Sequence, residues 1–139
     1  MLQPFGGNKE LKNSFAANSE SIGLNDFIFY DPSLPSIDTL FSGIENKLNF
    51  VEVSSGDEFF KSLSSLNNSS INNLYFLCHG SAGNLYFGND VINTQTIKSR
   101  LSVFDNFECN NLFLYSCNVG QDISFIEILK SALKSNIYF

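Results

Sequence analysis

The chain has 139 residues and a formal charge of −6, which is long enough for one domain with a sizeable core, and fifteen phenylalanines and five tyrosines supply much of that core. The acidic balance, with eight scattered Lys and Arg, argues against a nucleic-acid partner, because phosphate binding needs clustered cations. Three cysteines and one histidine fit neither a disulfide framework nor a zinc spacing, no apolar run reaches the roughly 18 residues of a membrane span, and the first 25 residues show no secretory signal pattern.

Met1 to Asn25 is polar, rich in Asn and Ser, and reads as a flexible leader with a weak helix around Glu10 to Phe15. The Asn and Ser abundance of the whole chain reads as a codon bias. Phe27–Tyr30 is a first buried strand, ended by Asp31-Pro32. Pro35-Ser36 opens a helix whose apolar positions Ile37, Leu40, Phe41, Ile44 and Leu48 follow helical spacing. Phe50–Val53 is a second strand. Ser55-Gly56-Asp57-Glu58 is a capping box, and the helix it starts carries Phe59, Phe60, Leu63 and Leu66.

Leu74–Cys78 is a third strand, and Leu85–Gly88 a short strand or hairpin arm. Asn93 or Thr94 caps a helix with Ile97, Leu101 and Phe104 on one face. Leu112–Ser116 is the fourth strand, Asp122 starts a helix using Phe125, Ile126, Leu129 and Leu133, and Asn136–Phe139 begins a fifth strand inside which the chain stops. Such an end reads as a fragment or a truncated reading frame. The alternation of strands and helices predicts an α/β domain over residues 26–139, built on a parallel sheet with right-handed crossovers.

Two stretches carry the chemistry. Leu74–Cys78 runs into His79-Gly80-Ser81-Ala82-Gly83, and Leu112–Ser116 runs into Cys117-Asn118-Val119-Gly120. Side chains just past the carboxyl ends of parallel strands face the crevice where α/β folds bind ligands. One stretch delivers the chain's only histidine there, the other a cysteine. A thiol is a nucleophile as thiolate, and a nearby imidazole lowers its pKa and later protonates the leaving amine. The separation of His79 and Cys117 is one strand–helix–strand unit, suited to neighbouring strand ends. The amides of Gly80 and Cys117 are candidate oxyanion donors, with Gly80 leaving room for a substrate carbonyl. Taken singly, a strand-end cysteine is ordinarily packed and a lone histidine ordinarily hydrogen-bonded; their joint placement favours function. Cys78 faces away from His79 and reads as core, Cys109 as structural, Asp122 as a cap and Arg100 as a solvated helix face rather than a specificity residue. No nucleophile elbow and no phosphate loop is present. No cofactor and no metal is expected.

At these residues the sequence resembles the caspase-like (clan CD) cysteine peptidases. More closely, it is similar to an uncharacterised family of that clan, a domain of unknown function near the N-termini of very large bacterial surface and secreted proteins with cadherin-like, RTX or other adhesin repeats. That family's pattern is H-G-S-x-G, a Leu-x-Leu/Phe-Gly-Asn segment, then L-L-x-Y-[GS]-C-x-[VA]. It is matched by His79–Gly83, Leu85–Asn89 and Leu112–Val119, although the segment after Cys117 is shorter than the Gly/Ala-rich stretch of the pattern. The resemblance implies a three-layer αβα sandwich with caspase-like strand order, His79 and Cys117 as a dyad, and a secreted or cell-surface location. The implied function is a cysteine endopeptidase acting on a peptide or protein, in cis on its own large polypeptide. The alternative is a non-catalytic interaction or capping module at the head of an adhesin.

Overall fold

The computed structural model of the chain describes residues 22–35, 37–45 and 47–139. The expected helix at residues 10–15 and most of the expected leader lie outside the described residues. The last four leader residues are described, and among them Ile22 is buried against the core.

Five short runs of aromatic and branched residues form the main sheet: β1 (Asp26–Tyr30), β2 (Phe50–Glu52), β3 (Ile71–Leu77), β7 (Cys109–Tyr115) and β8 (Asn136–Tyr138). Their order is β2-β1-β3-β7-β8, and every neighbouring pair is parallel. Between β3 and β7 a small antiparallel sheet is inserted, made of β4 (His79–Ser81), β5 (Asn84–Phe87) and β6 (Asp90–Ile92) in that order. The helices are α1 (Ile37–Phe41), α2 (Gly56–Ser65), α3 (Thr94–Ser99) and α4 (Ile123–Leu133). The expected parallel-dominated α/β domain is therefore what forms, with all five expected strands; the antiparallel sheet was legible only as one hairpin arm.

Crossover handedness decides which side each helix takes. The step from β1 to β2 runs one way across the sheet, and the steps β2 to β3, β3 to β7 and β7 to β8 run the other way. Right-handed connections then put α1 on one face and α2, α3 and α4 on the other. The two cores agree. Leu40 and Phe41 of α1 pack with Ile28, Tyr75, Leu77 and Tyr115. Phe59, Leu63, Ile97, Phe125 and Leu129 pack on the opposite side with Phe29, Phe76, Cys78 and Leu114. The period-two alternation of strand side chains is visible along β3.

Two helices are shorter than their apolar spacing predicts. The first stops at Phe41 instead of continuing to Leu48, which is 77% exposed; Ile44 N bonds back to the Phe41 carbonyl in a tight turn across Gly43, where a helix interior is disfavoured. The third stops at Ser99. Arg100 leaves helical geometry at φ −130°, ψ 31°, and a 3₁₀ turn over Leu101–Phe104 buries Phe104 and leaves Leu101 exposed. The caps are as the sequence suggests, with one shift: Ser55 Oγ accepts from Glu58 N at 3.1 Å, but the Glu58 carboxylate returns to Ser54 N, at 2.7 Å. Asn93, not Thr94, caps α3, in a reciprocal box with Thr96.

Phe59 joins α2, the main sheet and the hairpin in one aromatic cluster. Its ring lies 5.2 Å from Phe76, 5.2 Å from Phe87, 5.1 Å from Phe60 and 6.4 Å from Phe29. We expect Phe59→Ala to lower the unfolding free energy by about 3–5 kcal/mol. The half-buried Phe113, stacked on Tyr75 and Tyr138, should lose clearly less as Phe113→Ala. Urea denaturation checks both, and equal losses would contradict the centre assigned to this core.

Candidate active site

The site is built by register. Every pair from Ile71↔Cys109 to Leu77↔Tyr115 carries one constant offset. That offset, 38 residues, is also the separation of Cys78 and Ser116, whose side chains meet at 3.2 Å just beyond the ladder. His79 and Cys117 have the same separation one residue further. Paired residues on adjacent strands stand about 4.8 Å apart. The backbones stay close past the ladder: a Cβ on Gly80 would lie 3.2 Å from the Cys117 carbonyl oxygen and 2.6 Å from Ser116 Cβ. Tyr75, Leu77 and Tyr115 face the α1 side of the sheet and Cys78 the other, and His79 and Cys117 stand two residues beyond the last paired residues, Leu77 and Tyr115. Both are half-buried.

Cys78 and Ser116 are fully enclosed beneath this level. Ser116 Oγ donates to the Cys78 carbonyl at 3.0 Å, which leaves its lone pairs to accept from the Cys78 thiol. Burial pushes that thiol up to about 12, helped by the Asp31 charge and opposed by the Ser116 hydroxyl and the Tyr86 amide. Cys109, at the other end of β7, is pushed up to about 11 by burial, against a hydrogen bond with Ser135. Of the three cysteines, Cys117 is the one that is not buried. The expectation that Cys78 is core holds.

Three glycines fit the surrounding loops around this edge. Gly80 is needed because the end of β7 crosses it: an added Cβ would meet Ser116 Cβ, the Cys117 carbonyl and the Asn84 carbonyl. Gly83, at φ +77°, turns the β4–β5 hairpin against Asp122, whose Oδ2 lies 2.5 Å from a built Cβ. Gly88, at φ +63°, turns β5 into β6 directly against the Ser54 carbonyl. Asp122 is a cap, accepting from Phe125 N at 3.1 Å. Arg100 bonds Asp57 at 2.8 Å and covers the Phe60 ring at 4.9 Å, so it belongs to the α2–α3 contact, a surface pairing of modest worth.

Sequence reasoning passed over Asp31 and Ser116. Asp31 reads as a turn residue next to Pro32, yet it is 1% exposed and accepts from Ser33 N at 2.9 Å, Ser33 Oγ at 2.8 Å and Gly88 N at 2.8 Å. The available signal was a carboxylate at the carboxyl end of a buried parallel strand. Ser116 reads as a small residue before the cysteine. Among the described residues, no group of three or more His, Cys, Asp or Glu is arranged to hold a metal ion, and no helix is long and apolar enough to cross a membrane.

Thiol reactivity follows from burial. At pH 8 a thiol with a pKa of about 12 is thiolate in roughly one molecule in ten thousand. Iodoacetamide should therefore modify Cys117 first, with Cys78 and Cys109 protected until the chain unfolds; peptide mapping by mass spectrometry reads the order. Both raised thiols also keep their protons in the folded state at pH values where an ordinary thiol at 9.0 has lost its own. The folded state then binds more protons than the unfolded one, so stability is full below about pH 9 and falls as pH rises toward 11. The urea midpoint should show that fall, less steeply in Cys109→Ala.

No curated protein and no solved structure matches the chain. A family model does, over residues 27–138, a span that takes in all five strands of the main sheet and both His79 and Cys117. The chain belongs to the family described as "Domain of unknown function (DUF4347)".

Proposed function

We propose that this domain is a cysteine endopeptidase of caspase-like architecture, with Cys117 as nucleophile and His79 as its proton acceptor and donor. The observation that carries the reading is the shared register. One offset runs from the first β3–β7 pair through the bonded Cys78–Ser116 pair, and the next side chains in it are an imidazole and the one thiol of the three that is not buried. The doubly wound strand order supports the reading as well, since such sheets bind ligands at the carboxyl edge.

In this mechanism His79 accepts the Cys117 proton, and the thiolate sulfur attacks the carbonyl carbon of a peptide bond. The amides of Gly80 and Cys117 hold the oxyanion. Collapse of the tetrahedral intermediate breaks the C–N bond, and His79 passes its proton to the leaving amine. The acyl group remains as a thioester on Cys117. Water, deprotonated by His79, hydrolyses it, which releases the carboxylate product and restores the thiol. The resemblance supplies the setting: the head of a large bacterial surface or secreted protein, with that polypeptide itself as substrate.

The test is cleavage of a proteome-derived peptide library by the folded chain, read by mass spectrometry. Cys117→Ala should abolish turnover. His79→Ala should lower it by about 10²–10⁴-fold, the usual worth of a positioned acid–base group, while Cys109→Ala should leave it intact. Turnover that survives Cys117→Ala would sink the assignment. A folded chain that cleaves nothing, and whose Cys117 is alkylated equally fast with and without His79, would instead be a non-catalytic interaction module.

A further inference from the structure

Asp31 carries a formal charge in a place where a charge is costly. It directly follows β1, is 1% exposed, and among the described residues no cation pairs with it; the ion pair that forms, Arg100–Asp57, lies on α2 and α3. Its partners are neutral donors: Ser33 N and Ser33 Oγ on Oδ1, and Gly88 N on Oδ2. Its own amide donates to the Leu77 carbonyl at 2.9 Å, at the end of β3. Burying a carboxylate against neutral donors is unfavourable unless each lone pair is well used.

The location is informative. In the order β2-β1-β3-β7-β8 the direction of the connections reverses between β1 and β3, and doubly wound sheets open a crevice outside the strand ends at that point. Beside that point the turn between β5 and β6 packs on the residues that follow β1 and β2. Gly88 gives its amide to Asp31 and closes on the Ser54 carbonyl, and Asp90 accepts from Gly56 N at 2.7 Å, the first amide of α2. Two residues before Gly88, Tyr86 pairs with His79 across the β4–β5 ladder. The strand that carries the imidazole is thus anchored, through its hairpin partner, to β1 and to the β2–α2 connection.

We propose that Asp31 is a positioning residue for His79: it locks the β5–β6 turn onto the carboxyl end of β1, and through β5 it sets where β4 presents the imidazole to Cys117. This rests on the dyad reading and assigns the buried carboxylate a part in it.

Asp31→Asn tests the lock with almost no change in volume. Both carboxylate oxygens accept from backbone amides, so whichever position the new NH₂ group takes, a donor faces a donor. The readout is the rate of Cys117 alkylation by iodoacetamide on the full chain, as a function of pH, in the presence and absence of His79. Asp31→Asn should slow alkylation by about tenfold or more, as expected for a misplaced catalytic group, and flatten the His79-dependent part of the pH profile. In the His79→Ala background the same substitution should change the rate less than about twofold, since the group it positions is gone. Asp90→Ala, at an exposed position, loosens the same turn and should act in the same direction more weakly; if Asp31→Asn does not fold, this variant decides. Arg100→Ala, away from the hairpin, should leave the rate unchanged. A His79-dependent rate indifferent to both Asp31 and Asp90 overturns the proposal, as does an equal loss in the two His79 backgrounds, which would mark Asp31 as structural. A wild-type rate indifferent to His79 overturns the dyad and this inference with it.

Discussion

The pairing register of β3 and β7 is the constraint on which the rest depends. In a strand a slip of one residue turns every side chain to the opposite face. Here a slip would carry Leu74, Phe76, Leu112 and Leu114 out of the α2–α4 core and would break the Cys78–Ser116 pair. The register is held at both ends. At the carboxyl end the Cys78–Ser116 pair closes it with two hydrogen bonds. At the amino end an amide ladder does so: Asn110 donates to Asn72 and Asn111 to Asn73, each at 3.0 Å, and Asn136 of β8 extends the row to Asn111 at 3.5 Å. Stacked asparagines of this kind are natural only where parallel strands lie in register. The asparagine richness that reads as codon bias in the sequence is put to structural use at these positions.

Crossover handedness explains the lopsided layering. One connection runs toward β2 and three toward β8, so among the described residues three helices share one face and α1 lies alone on the other. On the α1 side, β7 and β8 are covered in part by their own aromatic row. Phe113 stacks on Tyr75 at 4.9 Å and on Tyr138 at 5.0 Å, with ring planes within 19° of parallel. The row runs across three parallel strands, and Tyr115, stacked on Tyr75 at 6.3 Å, extends it toward the carboxyl edge, two residues before Cys117.

The strands were legible because they are short apolar runs bounded by polar turns, a signal that survives without tertiary information. Helix lengths were less so. Periodicity continues through Leu48 and Leu101, but the chain leaves the helix at Gly43 and at Arg100, in the second case where the guanidinium reaches Asp57 and Phe60 of α2; no local pattern encodes that long-range contact. The adjacency of the strands that lead into His79 and Cys117 was legible because a strand–helix–strand unit brings consecutive parallel strands together. The small antiparallel sheet was not, because three-residue strands carry too little alternation to be read. Asp31 was missed for a related reason: its role is created by Gly88, 57 positions away in the sequence.

Burial gives the cysteines of this chain different chemistry: Cys78 is fully buried, while Cys117, which follows Ser116, is not. On the α2–α4 face the thiol and the hydroxyl meet in a closed, apolar setting that favours the protonated thiol. The next residues of the chain in each case, His79 and Cys117, are half-buried. The arrangement gives the buried pair a purpose, because the hydrogen bonds of Cys78 and Ser116 fix the level at which the next residues of both strands leave the sheet. Ser116 does this with one hydroxyl, donating to the Cys78 carbonyl while accepting from the Cys78 sulfur. Gly80 answers to the same residue, since a Cβ built on it lies 2.6 Å from Ser116 Cβ. The glycine after His79 is therefore a steric requirement set by the end of the neighbouring strand.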